Sequence, residues 1–301
     1  MKAPQPWQGA VVTLPTLFRE DLSLDLDRLQ EHVRWLASEG VDGVSPCSGL
    51  SEVQSLSDAE RTDVVRAVVE AAPVGCSVVP GVGGYGSRES RRWAEEAQKA
   101  GADAVLVPPP DGYAARDDEV VAHYQEVSAV GLPVVAYHDP ANARVDLTPE
   151  LLARVAETDG VVAVHEAGGD VRRMHQIHDL IPHLDVLVGS DDILLELMIS
   201  GARGWMAALP NSLPELSVEL YRLCAARDLA AAFPIYTRLH PVLGWSGTAG
   251  SVQAVKLEME LAGRYGGPCR PPRGRLTDDE QGRLRRDLVR ALRVPDHPLE
   301  K

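Results

Sequence analysis

VVAVHEAGGD, residues 161–170, is the stretch on which the reading of this chain turns. Four apolar residues lead into His165 and Glu166. A Gly-Gly turn follows, and Asp170 opens an amphipathic segment over 170–180. Apolar residues without alternation are the pattern of a strand buried on both faces, as in a parallel sheet. A strand that delivers polar residues at its C-terminal end and then feeds a helix is one βα unit. The question is how many such units the chain holds, and what His165 does.

The pattern recurs on both sides. Strands are expected at AVVTL (10–14), GVSP (43–46), CSVVPG (76–81), AVLVP (104–108), PVVAY (133–137), VVAVH (161–165), DVLVG (185–189) and GWMAA (204–208). Amphipathic segments fall between them at 25–39, 57–72, 87–100, 117–130, 148–157, 170–180 and 191–200. Ser57-Asp58-Ala59-Glu60 is a capping box, and Thr148-Pro149 places Pro at a first helical position. Gly40, Gly101 and Gly201 stand where helices should stop. Eight evenly spaced strand–helix units in roughly 210 residues predict a (β/α)8 TIM barrel. A doubly wound sheet is the alternative, and the missing GxGxxG after the first strand speaks against it. Beyond Leu213 the strand signals stop. Helices are expected at 214–227, 229–243, 249–264 and 277–293, so the division is a barrel over 1–212 and a C-terminal helical extension over 213–301.

Composition narrows the function classes. The chain has 301 residues, 45% hydrophobic and 25% charged, with a formal charge of −14. A negative field of that size disfavours nucleic acid and anionic membrane as partners. No apolar run approaches the ~20 residues of a spanning helix. The opening MKAPQPWQGA lacks a signal peptide's apolar core. The four cysteines, Cys47, Cys76, Cys224 and Cys269, are scattered without a CxxC, which suits a reduced cytoplasm rather than a disulfide framework or zinc site. The expected location is therefore cytoplasmic. No cofactor motif and no metal-ligand spacing stands out. A divalent ion held by His138, Asp139, His165 and Glu166 would need support from an HxH or HExxH pattern, and the sequence has neither.

In a barrel of this kind the chemistry lies at the C-terminal ends of the strands. Those ends carry Cys47-Ser48-Gly49, Pro108 to Tyr113, Tyr137-His138-Asp139-Pro140, His165-Glu166 and Gly189-Ser190-Asp191. Strand alternation turns Glu166 away from His165 and gives it a structural role. His138 and Asp139 read as turn residues, Glu52 as a cap or packing group within its own loop, and Cys47 as a small buried side chain. His175 and His178 read as an exposed helix face.

Taken in order, these segments resemble the dihydrodipicolinate synthase / N-acetylneuraminate lyase family of class I aldolases. The resemblance is carried by GAVVTLPTLF (9–18), SGLSEVQSLS (48–57), YHDP (137–140) with VDLTPE (145–150), VHEAGGD (164–170), VLVGSDD (186–192), GARGWMAALPNSLPE (201–215), VKLEMELAG (255–263) and CRPP (269–272). It covers nearly the whole chain without large gaps and implies the barrel, a small-molecule carbonyl or oxo-acid ligand, and a homo-oligomer, dimer or tetramer.

The resemblance also implies a lysine at the end of strand six, forming a Schiff base with a 2-oxo acid. Here His165 stands at that position, and imidazole cannot form the stable iminium of a primary amine. The chain has four lysines, Lys2, Lys99, Lys256 and Lys301, none at a predicted strand end. The family's Thr pair is matched by Gly49-Leu50, and its synthase-branch arginine by Asn142. Tyr137 persists. The expected catalytic residues are thus Tyr137 and His165, with Ser48, Gly49, Leu50, Tyr113, Asn142, Gly189 and Ser190 as substrate-binding positions. Two readings follow. One is a lyase-type enzyme acting on a small 2-oxo acid or other carbonyl compound without a lysine Schiff base. The other is a non-catalytic ligand-binding or regulatory homologue.

Overall fold

The computed structural model of the protein describes residues 5–292. Within them the chain runs β1 (Gly9–Thr13), α1 (Leu26–Ser38), β2 (Gly43–Ser45), α2 (Asp58–Ala71), β3 (Ser77–Val78), α3 (Ser87–Ala100), β4 (Val105–Val107), α4 (Asp117–Ser128), β5 (Val134–His138), α5 (Pro149–Ala156), β6 (Val161–Glu166), α6 (Arg172–Leu180), β7 (Asp185–Val188), α7 (Leu194–Ile199), β8 (Gly204–Ala207) and α8 (Pro214–Ala225). The helices α9 (Leu229–Leu243), α10 (Ser251–Leu261) and α11 (Asp278–Leu292) complete it. Residue 293, the expected end of the last helix, lies outside the described residues, as do Lys2 and Lys301.

The eight strands form one parallel sheet in the order β3-β2-β1-β8-β7-β6-β5-β4. A bridge between Gly81 and Leu106 joins its two outer strands and closes the barrel. The strand expected at 76–81 is regular only over Ser77–Val78. Pro80 has no N–H to give the ladder, so pairing continues there as single bonds from Val79 to Val44 and from Gly81 to Pro46.

Local signals set the helix ends. The Ser57–Glu60 capping box forms with both reciprocal bonds, and Thr148 caps α5 ahead of Pro149. Gly101 and Gly201 end α3 and α7 at φ of +96° and +111°, which favours glycine. The single helix expected at 191–200 is instead a 3₁₀ turn at Asp191–Ile193 followed by α7. The Asp191 carboxylate caps no helix. It turns inward to accept from the Trp205 indole at 2.8 Å and from the Ala208 N–H at 3.2 Å.

The barrel interior is filled from below. Val11, Val79, Leu106, Val135, Ala163, Leu187 and Met206 pack there with Trp7, whose indole donates to Asp185. Burying each larger aliphatic chain contributes about 1.5–3 kcal/mol, so this layer is a core rather than a channel. Polar residues therefore enter the interior only above it. Tyr137 and His165 stand two positions beyond Val135 and Ala163 on the same strand faces, directly on top of the packed layer.

Candidate active site

Cross-strand register brings the site together. Parallel pairing of β5 with β6 sets Tyr137 opposite His165 and His138 opposite Glu166. The period of two sends the first pair into the barrel and the second outward. Inside, the phenol and imidazole rings stack with centroids 5.1 Å apart and planes 14° from parallel. Outside, His138 Nδ1 lies 2.7 Å from Glu166 Oε1, and His138 Nε2 lies 2.8 Å from Asp146. Glu166 also accepts from Arg173 Nε at 3.0 Å and the Gly168 N–H at 2.9 Å. Burial pushes the Glu166 carboxyl up, but the bond to His138 and the charges of His138 and Arg173 outweigh it and hold it below the usual range. Glu166 is thus a structural partner of His138 and does not orient His165.

His165 is buried, and neither ring nitrogen has a hydrogen-bond partner among the described residues. Burial pushes the imidazole down to about 4, against the opposing pull of the Met206 carbonyl and the Asp139 carboxylate. The ring fits because position 189 is glycine: a Cβ there would lie 2.6 Å from His165 Nε2. A buried polar group without a partner is costly. A buried imidazole at the barrel's inner rim, its nitrogens without a hydrogen bond of good geometry among the described residues, is therefore a mark of a ligand position.

The Tyr137 hydroxyl donates to Asp139 Oδ2 at 2.7 Å, and the same oxygen accepts from Asn142 Nδ2 at 2.8 Å. The Asn142 N–H adds a longer bond of 3.3 Å to Asp139 Oδ1. Burial and then the Asp139 charge raise the phenol well above its ordinary range, so Tyr137 keeps its proton. The reading of His138 and Asp139 as turn residues is corrected for His138, which closes β5 in a buried hydrogen-bonded pair. Asp139 does open the turn, its carbonyl accepting from the Asn142 and Ala143 N–H groups, and its side chain also holds the Tyr137 hydroxyl. Asp139 lies two residues beyond Tyr137, so strand periodicity places it on the tyrosine's side.

The remaining expected positions separate. Gly49 faces Tyr137, where an added Cβ would sit 3.6 Å from the hydroxyl, so this wall of the site carries no side chain. Leu50 is buried in the apolar cluster shared with α1, α2 and α10, which makes it a shell residue. Ser48 ties its hydroxyl to the Ser45 carbonyl at 2.9 Å. Ser190 precedes the Asp191 turn beside Gly189. Tyr113 is exposed on the outer rim. Asn142 reaches further than the others. It holds Asp139, and it lines a rim groove of about 500 Å³ with Tyr85, Asp111, Gly112, Ala141, Ala143 and Arg144.

The loop carrying Ser48 and Gly49 is rigidly built. Cys47 and Glu52 both adopt left-handed backbone, at φ of +55° and +50°. Strain of about 1–3 kcal/mol per such residue persists only where the surroundings hold it. Here Ser51 Oγ donates to the Leu14 carbonyl at 2.6 Å, and Thr16 Oγ1 donates to the Ser51 carbonyl at 2.6 Å. Glu52 does not cap its own loop, as expected from sequence. It is fully buried against Lys256 Nζ at 2.7 Å and accepts from the Arg270 N–H at 2.9 Å. Cys47 is buried, and burial pushes its thiol up to about 11, so it stays a protonated packing residue.

Known proteins share this frame. The sequence profile of the dihydrodipicolinate synthetase family matches residues 6–291. The chain belongs to this family. An uncharacterised DapA-like lyase of Halobacterium salinarum is 34% identical over 287 residues, covering 95% of this chain and 94% of the relative. The 4-hydroxy-tetrahydrodipicolinate synthase of Methanothrix thermoacetophila is 30% identical over 290 residues, with coverage of 94% and 97%. The structure of a chloride-inhibited dihydrodipicolinate synthase from Acinetobacter baumannii complexed with pyruvate superposes with a TM-score of 0.90 at 26% identity, covering 94% of this chain and 98% of that one. Family membership and the eight-stranded barrel agree with the expectation from sequence.

Proposed function

We propose that this family member is a lyase-type enzyme that activates a small 2-oxo acid or other carbonyl compound by proton transfer and polarisation, without a lysine imine. The observation that carries the reading is His165, buried at the C-terminal end of β6, stacked on Tyr137 and with neither nitrogen in a hydrogen bond of good geometry among the described residues. The two described lysines are engaged elsewhere. Lys99 pairs with Glu96 on the surface of α3, and Lys256 is bound by Glu52 and the Pro268 carbonyl.

In this reading a neutral His165 N–H donates to the substrate carbonyl oxygen. A neutral imidazole suits that role, because its proton is not lost when charge builds on the oxygen. The Tyr137 oxygen takes a proton from the carbon next to the carbonyl or from a β-hydroxyl, as its own proton passes to Asp139. The first route leaves an enolate. The second leaves an alkoxide, which expels the enolate and becomes an aldehyde or ketone. General acid–base groups of this kind are worth about 10²–10⁴ in rate. No cofactor is part of the proposal. A cytoplasmic homo-oligomer, dimer or tetramer, is, and light scattering in solution tests the assembly.

The chemical test is deuterium exchange into the methyl protons of pyruvate and of hydroxyacetone, followed by NMR in D2O. Wild type should exchange at least one of them, and His165→Ala and Tyr137→Phe should each slow that exchange by two orders of magnitude or more. Absence of exchange in wild type with both compounds would move the protein to the non-catalytic, ligand-binding reading.

A further inference from the structure

The charges around Tyr137 and His165 bear on which carbonyl compound fits, and this inference rests on the reading just proposed. Asp139 is the charged group acting on Tyr137. Its carboxylate is nearly buried and faces donors only: the Tyr137 hydroxyl, the Asn142 amide and the Asn142 N–H. His165 brings no compensating charge, since burial keeps its imidazole neutral at pH 7.

The buried cations nearest the rim are spent on other partners. Arg61 donates to the carbonyls of Gly81 and Gly83 and lies over the Trp93 ring. Arg173 pairs with Glu166 on the outer face of the sheet, and Lys256 with Glu52. In the groove outside, Arg144 shares the wall with Asp111. Around Tyr137 and His165 an anion is thus held among neutral donors.

Its hydrogen-bond polarity is equally specific. The Tyr137 proton points at Asp139, so the phenol oxygen offers lone pairs to the site. Neutral His165 offers one N–H and one lone pair. Two acceptors and one donor match a molecule with a carbonyl oxygen and neighbouring hydroxyl protons. They mismatch a carboxylate, which only accepts and would stand close to Asp139. Like charges a few ångströms apart and poorly solvated disfavour binding by about tenfold to a hundredfold.

We propose that the site is built for an uncharged hydroxycarbonyl compound, and that Asp139 is the residue that excludes free 2-oxo acids from the position beside the stacked Tyr137 and His165 rings. The test uses hydroxyacetone and pyruvate as probes, with the His165 imidazole resonances as the readout of occupancy. Wild type should show saturable shifts with hydroxyacetone at concentrations at least tenfold below those needed with pyruvate. Asp139→Asn keeps the shape and, with its oxygen on the Tyr137 side, the Asn142 side-chain contact, giving up only the long bond from the Asn142 N–H; by removing the charge it should strengthen the pyruvate response tenfold or more and slow hydroxyacetone exchange. Equal responses to both probes in wild type, or an unchanged preference in Asp139→Asn, would overturn the charge argument. His165-dependent pyruvate exchange in wild type would sink this proposal while leaving the imine-free enzyme standing. Shifts from neither probe would remove both.

Discussion

His165 differs from a solvent-facing histidine in one consequential way: its folded-state pKa of about 4 lies below the ordinary 6.5. A general acid with the ordinary value would break the pH–rate profile near neutrality. Here the imidazole stays neutral from pH 8 down to about 5. Activity dependent on His165 should therefore be level across that range and fall only toward pH 4, as pH–rate measurements on the exchange reaction will register. A break between pH 6 and 7 that disappears in His165→Ala would contradict the buried neutral ring. Gly189 gives a second handle. An alanine Cβ would lie 2.6 Å from Nε2 and 2.8 Å from Cε1, so the ring itself must move. Position 189 has no left-handed backbone to strain. With the Ala167 Cβ also only 2.9 Å from the added methyl, Gly189→Ala should cost about 1–3 kcal/mol in stability and more than tenfold in exchange rate, and the His165 imidazole shifts should report the displacement. A variant with unaltered rate and shifts would mean that the imidazole position is irrelevant.

At the scale of elements, the β2–α2 loop is anchored from far along the chain. Its Glu52 meets Lys256 of α10 from 204 residues away. Both side chains are buried, and Lys256 also lies over the Phe18 ring at 4.8 Å. Removing one member leaves the other charge stranded, at a cost of about 3–5 kcal/mol. Lys256→Met should lose that much in urea unfolding, and Lys256→Met with Glu52→Gln should recover most of it. A loss in the double variant as large as in the single one would show packing, not charge, to be the anchor. This pair also marks where sequence reading stops. Strand ends were legible because apolar runs, caps and turn glycines are written locally. Tyr137 and His165 were legible because they occupy such ends. The Glu52–Lys256 pair carries no local signal, since Glu52 alone reads as a cap or packing group of its own loop and Lys256 as an ordinary charge on a helix. Asp139 lies between these cases. Its spacing from Tyr137 gives its side of the strand and YHDP reads as a turn; both hold, and only the observed hydrogen bond adds the hold on the Tyr137 hydroxyl.

For the whole molecule, the buried titratable groups set how stability follows pH, and they pull in opposite directions. Burial lowers His32, His123 and His165 each to about 4. Below pH 6.5 the unfolded chain binds these protons and the folded one does not, so their contribution is complete above 6.5 and is lost as pH falls toward 4. Glu60, held at about 2 by Arg270, loses its contribution further down, as pH falls below its unfolded value. Burial raises Asp191 and Glu258 to about 7 and about 8, with Glu258 pushed further by the Asp191 charge. These two have the reverse sign: as pH climbs from about 4 to 8, the unfolded chain releases their protons first and folding weakens. Stability should therefore peak between about pH 5 and 6.5 and decline toward pH 8. Glu258 sits in α10 against Ser212 behind β8, where a neutral amide fits as the protonated acid does. Glu258→Gln removes its share of the decline. It should unfold with wild-type stability at pH 4 and be more stable by about 2–4 kcal/mol at pH 8. Urea titrations at the two pH values separate this from a packing effect, which would shift both by the same amount.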